Sequence, residues 1–494
     1  IGTLVISNRD RSTLATVQTE LPAVPVGVLG AGELQSTSLT VLGETWEPDV
    51  WKGVLLTPNR EQGEPTLVDN SRFEITGNSA DTLVIGEGDM TAVAGPGDAY
   101  GSIYLFHRVI VREKAKVFTT ADLLITGAGA GVSLENSELT ASRLELADGA
   151  VELKVVNSDL NLGLQGVADL DLEGDSSLAG ADVLHIDGDL TLSGTTAFHH
   201  TAKSMVVGGD LVLETDAELL VDGGPIEVGG AMQLEGGASV TCSQSEPDRE
   251  CRVEIQAASM DIASGAAIDV TGKGYPKDMW LDWQSSGLGS KTGASHGGRG
   301  GQGNASTEDV KPAYGSLYDP NTLGAGGGYN GSGGGVIRLD ISGTLTVEGQ
   351  VLADSSSGNN SNGAGGSVSI RADIITGDGI IGSRGGSVSS NGYGTGGGGR
   401  VALLDYSLLA GAFAMDNVGT DDFGVAAHGG SAYGCYAGAA GTVFLQPQGA
   451  ATGTLVIDNA GRCTYEEAVT ELPSPGPLVL AADTLGATTV HVPG

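Results

Sequence analysis

Aromatic residues fill only 4% of the 494 positions, basic side chains number 24 against 61 acidic ones, and proline (16) and cysteine (4) are scarce. Each shortage excludes something. A formal net charge of −37 argues against nucleic acid and anionic membranes as partners, because both are polyanions. No window holds the roughly 18 continuous apolar residues that a membrane helix needs. The 82 glycines follow no three-residue period and proline is too rare for collagen. His-Glu-x-x-His, Cys-x-x-Cys and zinc-spaced Cys/His sets are all missing. What remains is a chain with 40% hydrophobic residues, enough for a buried core and against intrinsic disorder. Residue 1 is Ile with no basic or apolar leader behind it, so the numbered start is expected to be a cleavage product or a cut inside a longer chain.

The most informative feature is a self-match. Gly2-Thr-Leu-Val-Ile-Ser-Asn8, Arg11, Thr13 and Thr19-Glu-Leu-Pro22 recur as Gly453-Thr-Leu-Val-Ile-Asp-Asn459, Arg462, Thr464 and Thr470-Glu-Leu-Pro473. Every pair is offset by 451 without a gap, and weaker matches continue to Gly43 and Gly494. The pattern predicts one unit of about 450 residues followed by the start of the next, in a tandem array; the competing reading is one duplicated strand pair closing both ends of a single domain. Gly453, Leu455, Ile457 and Asn459 mark the junction.

A shorter period lies inside the unit. Gly188-Asp-Leu-Thr-Leu192, Gly209-Asp-Leu-Val-Leu213 and Gly230-Ala-Met-Gln-Leu234 are 21 residues apart, as are Asp122-Leu-Leu-Ile125 and Arg143-Leu-Glu-Leu146. Met232-Gln-Leu234 recurs as Met260-Asp-Ile262 after 28, the extra seven belonging to the Cys242–Cys251 loop. Each copy alternates apolar and polar residues, the period of a strand with one buried face. Such strands, returning at a fixed register between Gly, Asp and Asn turns, predict an all-β fold: a right-handed parallel β-helix (solenoid) with a small inserted β-module and glycine-rich loops. Coils about 4.8 Å apart would stack as a rod.

Along the chain, the expected organisation is start-of-unit strands over 1–45, a small β-module over 46–100 and regular coils over 101–271. An irregular aromatic and glycine-rich segment over 272–330 follows, then glycine-rich coils over 331–451 and the start of the next unit over 452–494. In the glycine-rich coils Val336, Val368, Val401 and Val443 align behind glycine tracts. Glycine there suits tight corners and close backbone approach; phosphate cradling would need a helix after the tract, and no helical pattern follows.

The stretch from Gly441-Thr-Val-Phe-Leu-Gln-Pro to Gly453-Thr-Leu-Val-Ile-Asp-Asn459, the glycine-tract repeats and Thr344-Leu-Thr-Val-Glu-Gly-Gln-Val-Leu352 resemble large secreted bacterial repetitive β-helix proteins of the adhesin-like, surface-fibre kind. The resemblance implies an extracellular structural or adhesive fibre and brings no catalytic residues with it.

Individual constellations are few. The Cys242–Cys251 loop suggests a disulfide and an oxidising compartment, while a bridge between Cys435 and Cys463 stays open, Cys463 matching Ser12 in the other copy. Asp169, Asp189 and Asp210 fall at equivalent places on successive coils, where they would either cap their own turns or hold Ca²⁺ between them; calcium is the only cofactor the pattern offers. Asp169, Asp171 and Glu173 share one strand face, but a polysaccharide lyase or hydrolase acting on acidic sugars wants basic residues beside them, and those here are few and dispersed, with Val212 and Thr191 on the neighbouring coils. The expectation is therefore a non-enzyme. His199 and His200 would point to opposite faces. Trp280, Trp283, Tyr314 and Tyr318, with Tyr329, concentrate aromatics in one irregular segment, where they either pack between modules or stack on surface glycans. The expected partners are neighbouring copies of the same unit, with glycans as the alternative.

Overall fold

The computed structural model describes residues 2–7, 17–20, 25–59, 72–112, 115–119, 122–126, 130–135, 137–147, 152–156, 159–165, 170–179, 183–186, 188–304, 309–329, 331–358, 360, 362–418, 420, 422–466, 468–472 and 489–491. It is nearly all β, with 42% of the chain in strands and no α-helix among the described residues. The chain forms two compact units, residues 1–198 with 206–208, and residues 199–205 with 209–494.

In the first unit seven strands carry the framework: β1 (Gly2–Ser7), β2 (Ser38–Thr40), β3 (Thr82–Ile85), β4 (Ala99–Arg112), β5 (Asp122–Thr126), β6 (Glu138–Ala147) and β7 (Asp159–Gln165). β1, β4, β5, β6 and β7 pair in parallel. Asp122 lies opposite Arg143 and Glu138 opposite Asp159, steps of 21 residues, while Ile103 to Asp122 is 19 and Arg143 to Gly163, beyond a register shift, is 20. Other pairings in this unit are antiparallel. β2 runs against β3 with Ser38 opposite Val84, and Leu55–Thr57 runs against β4. Leu39, Trp51, Leu56, Ile75, Leu83 and Met90 fill the core of this group, which begins at Gly27–Val28 and so takes in residues ahead of Trp46.

The second unit is built on β8 (Ile226–Leu234), β9 (Arg252–Ile262), β10 (Val336–Val347), β11 (Ser367–Thr376), β12 (Arg400–Tyr406), β13 (Thr442–Pro447), β14 (Thr454–Val456) and β15 (Thr489–His491). β8 through β13 pair consecutively in parallel. Two columns of inward residues result: Val253, Ile337, Val368, Val401 and Val443, and beside them Ile255, Leu339, Ile370, Leu403 and Leu445, all buried. Burying each such side chain stabilises the fold by about 1.5–3 kcal/mol. One sequence alignment is corrected here. Val336 stands opposite Ser367, and it is Ile337 that joins Val368, Val401 and Val443. The alternation decides the register, because shifting by one would turn Ile337 and Leu339 out of the column and Arg338 into it.

After β13 the chain reverses. β14 pairs antiparallel with β13, Val456 opposite Val443, and β15 adds in parallel to β14 with Thr489 opposite Thr454.

Outside the columns lies a layer made of backbone. Three successive amides of one tract donate to three different neighbours: Gly397 to Ala294 O at 2.9 Å, Gly398 to Ala439 O at 2.9 Å and Gly399 to Ser383 O at 2.8 Å. The preceding tract repeats this, with Ala364 donating to Ala325 O, Gly365 to Gly397 O and Gly366 to Ala353 O. Amides that rotate through three directions in three residues follow the period of polyproline II, whereas a strand alternates between two. A Cβ added at Gly397 would overlap the Gly298 carbonyl, and at Gly398 the Ala427 carbonyl. Residues 275–329, inserted between β9 and β10, supply one side of this layer.

Gly397→Ala is expected to cost about 1–3 kcal/mol or more, the range for overpacking a filled interior. Gly95→Ala serves as the control: it lies outside the left-handed region and an added Cβ there meets nothing within 4 Å. Thermal melts of the two variants check this, and equal midpoints would contradict the close-packed layer.

Candidate functional site

The aromatic residues singled out in sequence divide by exposure. Trp280 and Tyr314 meet edge to face at 6.0 Å and pack against Leu288, Ala294, Ala325 and Ala364. Trp283 meets Tyr275 at 5.2 Å and packs with Leu323 and Val336. The Tyr314 hydroxyl donates to Leu323 O at 2.7 Å, and burial pushes its pKa well up. Tyr318 and Tyr329 are different: they are 61% and 46% exposed, Tyr318 standing on Phe444 and Tyr329 facing the Lys277 ammonium at 5.1 Å.

Beneath these rings is a buried polar centre that sequence reading missed. His296 is fully buried, its Nδ1 bonded to Gly365 O at 2.7 Å and its Nε2 to Thr322 Oγ1 at 2.8 Å. A carbonyl at Nδ1 requires the proton there, which leaves Nε2 to accept. Burial, then the Arg400 charge, hold the imidazole pKa down at about 3, so His296 is neutral at physiological pH. Arg400 is buried as well. Its Nε donates to Tyr314 O at 2.8 Å and its Nη1 to Thr442 Oγ1 at 3.1 Å, while Nη2 has no hydrogen-bond partner. Burial brings its pKa down to about 10, which leaves it charged. Sealed from solvent, His296 and Arg400 fasten the inserted segment to β12 and the glycine tracts. Glu471 reaches the same region, bonded to Arg299 and to the Ala313 amide at 2.6 Å.

The aspartates act on neighbouring backbone. Asp210 Oδ1 accepts from the Ala231 amide at 2.7 Å, and Asp222 Oδ1 from the Ser243 amide at 2.7 Å, each donor 21 residues further on. Asp189 is exposed, and Asp169 lies outside the described residues. Among the described residues no group of three or more His, Cys, Asp or Glu is placed to hold a metal ion. Asp222 also meets His199 at 2.9 Å and Arg249 at 3.5 Å. His200 turns the other way, buried against Gly224 O at 3.1 Å. Disulfides join Cys242 to Cys251, Cα atoms 5.6 Å apart, and Cys435 to Cys463, 4.5 Å apart.

A second feature missed in sequence lies beside the β13–β14 hairpin. A cleft of about 210 Å³ is lined by Thr420, Phe423, Val425, His428, Val456 and Asp458. Arg462 Nη2 donates to His428 Nε2 at 3.4 Å, its Nε to Ser431 Oγ at 3.1 Å and its Nη1 to Asn459 O at 3.2 Å. Burial, then Arg462 and more weakly Arg384, hold His428 down at about 4. Arg384 is tied to Asp354 through Nε at 2.7 Å. These basic residues are too far apart along the chain for any motif to reveal; only Arg462 carried a signal, through its match with Arg11.

The junction residues sit on the same side of the fold. Leu455 is buried, Gly453 approaches Leu445 O and Phe444 so closely that a Cβ would not fit, and Ile457 is half-buried. Asn459 accepts from the Gly429 amide at 2.8 Å and donates to Gly438 O at 3.1 Å. Two disulfides point to a non-cytoplasmic compartment, and among the described residues no helix is long and apolar enough to cross a membrane. Compared with protein-family models, curated proteins and solved structures, the chain matches none.

Acid should loosen this packing. His296 has a native pKa of about 3, below its unfolded value of roughly 6.5, so the unfolded chain binds the extra proton. Its contribution is fully present above pH 6.5 and is lost as pH falls from there towards 3. Between pH 6.5 and 5, His296→Gln is expected to show a shallower fall of melting temperature with pH than the unsubstituted protein. Equal slopes would mean that His296 is not held neutral.

Proposed function

We propose that this chain is a structural repeat of a large extracellular fibre or surface protein, a right-handed parallel β-solenoid that joins end to end with like units. The observation that carries this reading is the ungapped 451-residue offset. Two copies of the start segment, at 2–22 and 453–473, bracket a chain whose parallel strands repeat one inward column. The disulfides and the acidic composition fit an extracellular life, and the packed, half-buried aromatics and sealed histidine fit a load-carrying part. Sequencing the coding region on both sides of this segment tests it: further copies at the same offset are expected, and a solitary copy would overturn the array.

A second reading, a glycan-binding adhesin, rests on Tyr318 and Tyr329. Exposed rings on an inserted segment suit stacking against sugar faces. Tyr318→Ala with Tyr329→Ala is expected to abolish glycan-array binding without moving the melt; no glycan binding by the unsubstituted chain would remove this reading.

A further inference from the structure

The two copies of the start segment have different partners. In the first copy, β1 pairs in parallel with β4, Leu4 opposite Val109, and Val17–Glu20 pairs in parallel with Ala115–Phe118, Thr19 opposite Val117. In the second copy, β14 holds the positions equivalent to Thr3–Val5 and pairs antiparallel with β13. The equivalent of Val17–Glu20, residues 468–471, lies on the glycine layer: the Arg299 amide donates to Val469 O at 3.1 Å, Thr470 Oγ1 to Ala440 O at 2.7 Å, and Glu471 meets Arg299.

We infer that the start segment is a splice shared by two consecutive copies, one edge belonging to the β13 hairpin and glycine loops of the preceding copy and the other to β4 of the copy it opens. The inference rests on the array reading above and names its interface. β14 would pair on its second edge with β4 of the next copy, Leu455 opposite that copy's Val109. Two facts support it besides the double set of partners.

The first is the choice of residues that recur. Asn459, Arg462, Thr470 and Glu471, identical to Asn8, Arg11, Thr19 and Glu20, all bond to the glycine loops or the inserted segment of the unit that precedes them. In an array, a preceding copy would engage Asn8, Arg11, Thr19 and Glu20 in the same way. Cys463 is the exception: Ser12 holds the matching place, so that staple does not recur in every copy.

The second is the substitute pairing of β15. Thr489–His491 is the equivalent of β2, which in the first copy runs antiparallel to β3. The second copy stops short of any β3 or β4 equivalent, and there β15 lies parallel on β14 instead, on the residues that in β1 face β4. The segment at the equivalent offset, Thr489-Val490-His491 in place of Ser38-Leu39-Thr40, thus has a different partner and the opposite direction of pairing. Continuing the chain would return it to the β3 equivalent and free β14 for β4.

The test is a two-copy chain, made by appending residues 44–494 after Gly494, which keeps the 451-residue register. It reads the junction whether or not the natural protein has further copies. Leu455→Cys with Val109→Cys in the second copy should form a disulfide under mild oxidation, since paired strands bring Cα atoms within bridging range. Leu455→Cys with Val490→Cys should cross-link in the single chain and at least about tenfold less in the two-copy chain. Leu4→Cys with Val109→Cys in the single chain is the positive control for the register itself. No bridge from 455 to 109, or an undiminished bridge from 455 to 490, overturns the splice. Should the cysteine variants not fold, amide exchange of the unsubstituted two-copy chain decides: slower exchange at 454–456 than in the single chain supports the splice, and unchanged exchange overturns it.

Discussion

Among the described residues, the amides of the parallel ladders and of the glycine tracts donate to other turns of the same chain, and the rest of the structure follows from that requirement. In the parallel ladders each strand must meet the next in one phase, because a slip of a single residue would exchange the buried and exposed faces of the whole strand. Phase therefore determines which residues are alike: Val253, Ile337, Val368, Val401 and Val443 are alike because they occupy one column. The connections between strands are freer, and the 84-residue step from Arg252 to its partner Val336 shows how much chain can be inserted without disturbing the register.

The glycine layer solves the same problem by other means. Where side chains are absent, backbones approach until carbonyl meets amide in three directions, and the result is a second core containing almost no hydrocarbon. Its weakness is that it offers little apolar area to bury, so specificity falls to a few polar inserts. His296 and Arg400 are such inserts. Each is costly to bury, and each is held by backbone or hydroxyl groups from two or more segments, which ties the inserted segment to one position. On this account the sealed histidine is a structural fastener, and exposed chemistry is left to the His428 cleft and to Tyr318 and Tyr329.

Much of the architecture was legible. The 21-residue step from Asp122 to Arg143 and from Leu211 to Met232 stands in the sequence as it does in the ladders, since alternation and register are the same information. The pairing of Met232 with Met260 across the Cys242–Cys251 insertion was equally visible. The glycine tracts were less so: anchoring on glycine placed Val336 where Ile337 belongs, because the tract packs by backbone and carries no phase of its own. The role of residues 275–329 as a wall of that layer left no periodic trace, and the grouping of His428, Arg384 and Arg462 comes from coils distant in sequence. Asn459 and Arg462 were visible only as repeated letters, their meaning supplied by the loops they touch.

The central claim is that these strands pile in parallel and in register beside a hydrogen-bonded glycine layer. An experimentally determined structure at side-chain resolution tests it most directly. The account predicts Ile337, Val368, Val401 and Val443 as successive neighbours in one column about 4.8 Å apart, with the Gly397 amide on Ala294 O. Strands β10 to β13 running antiparallel, or Val336 in that column, would contradict it.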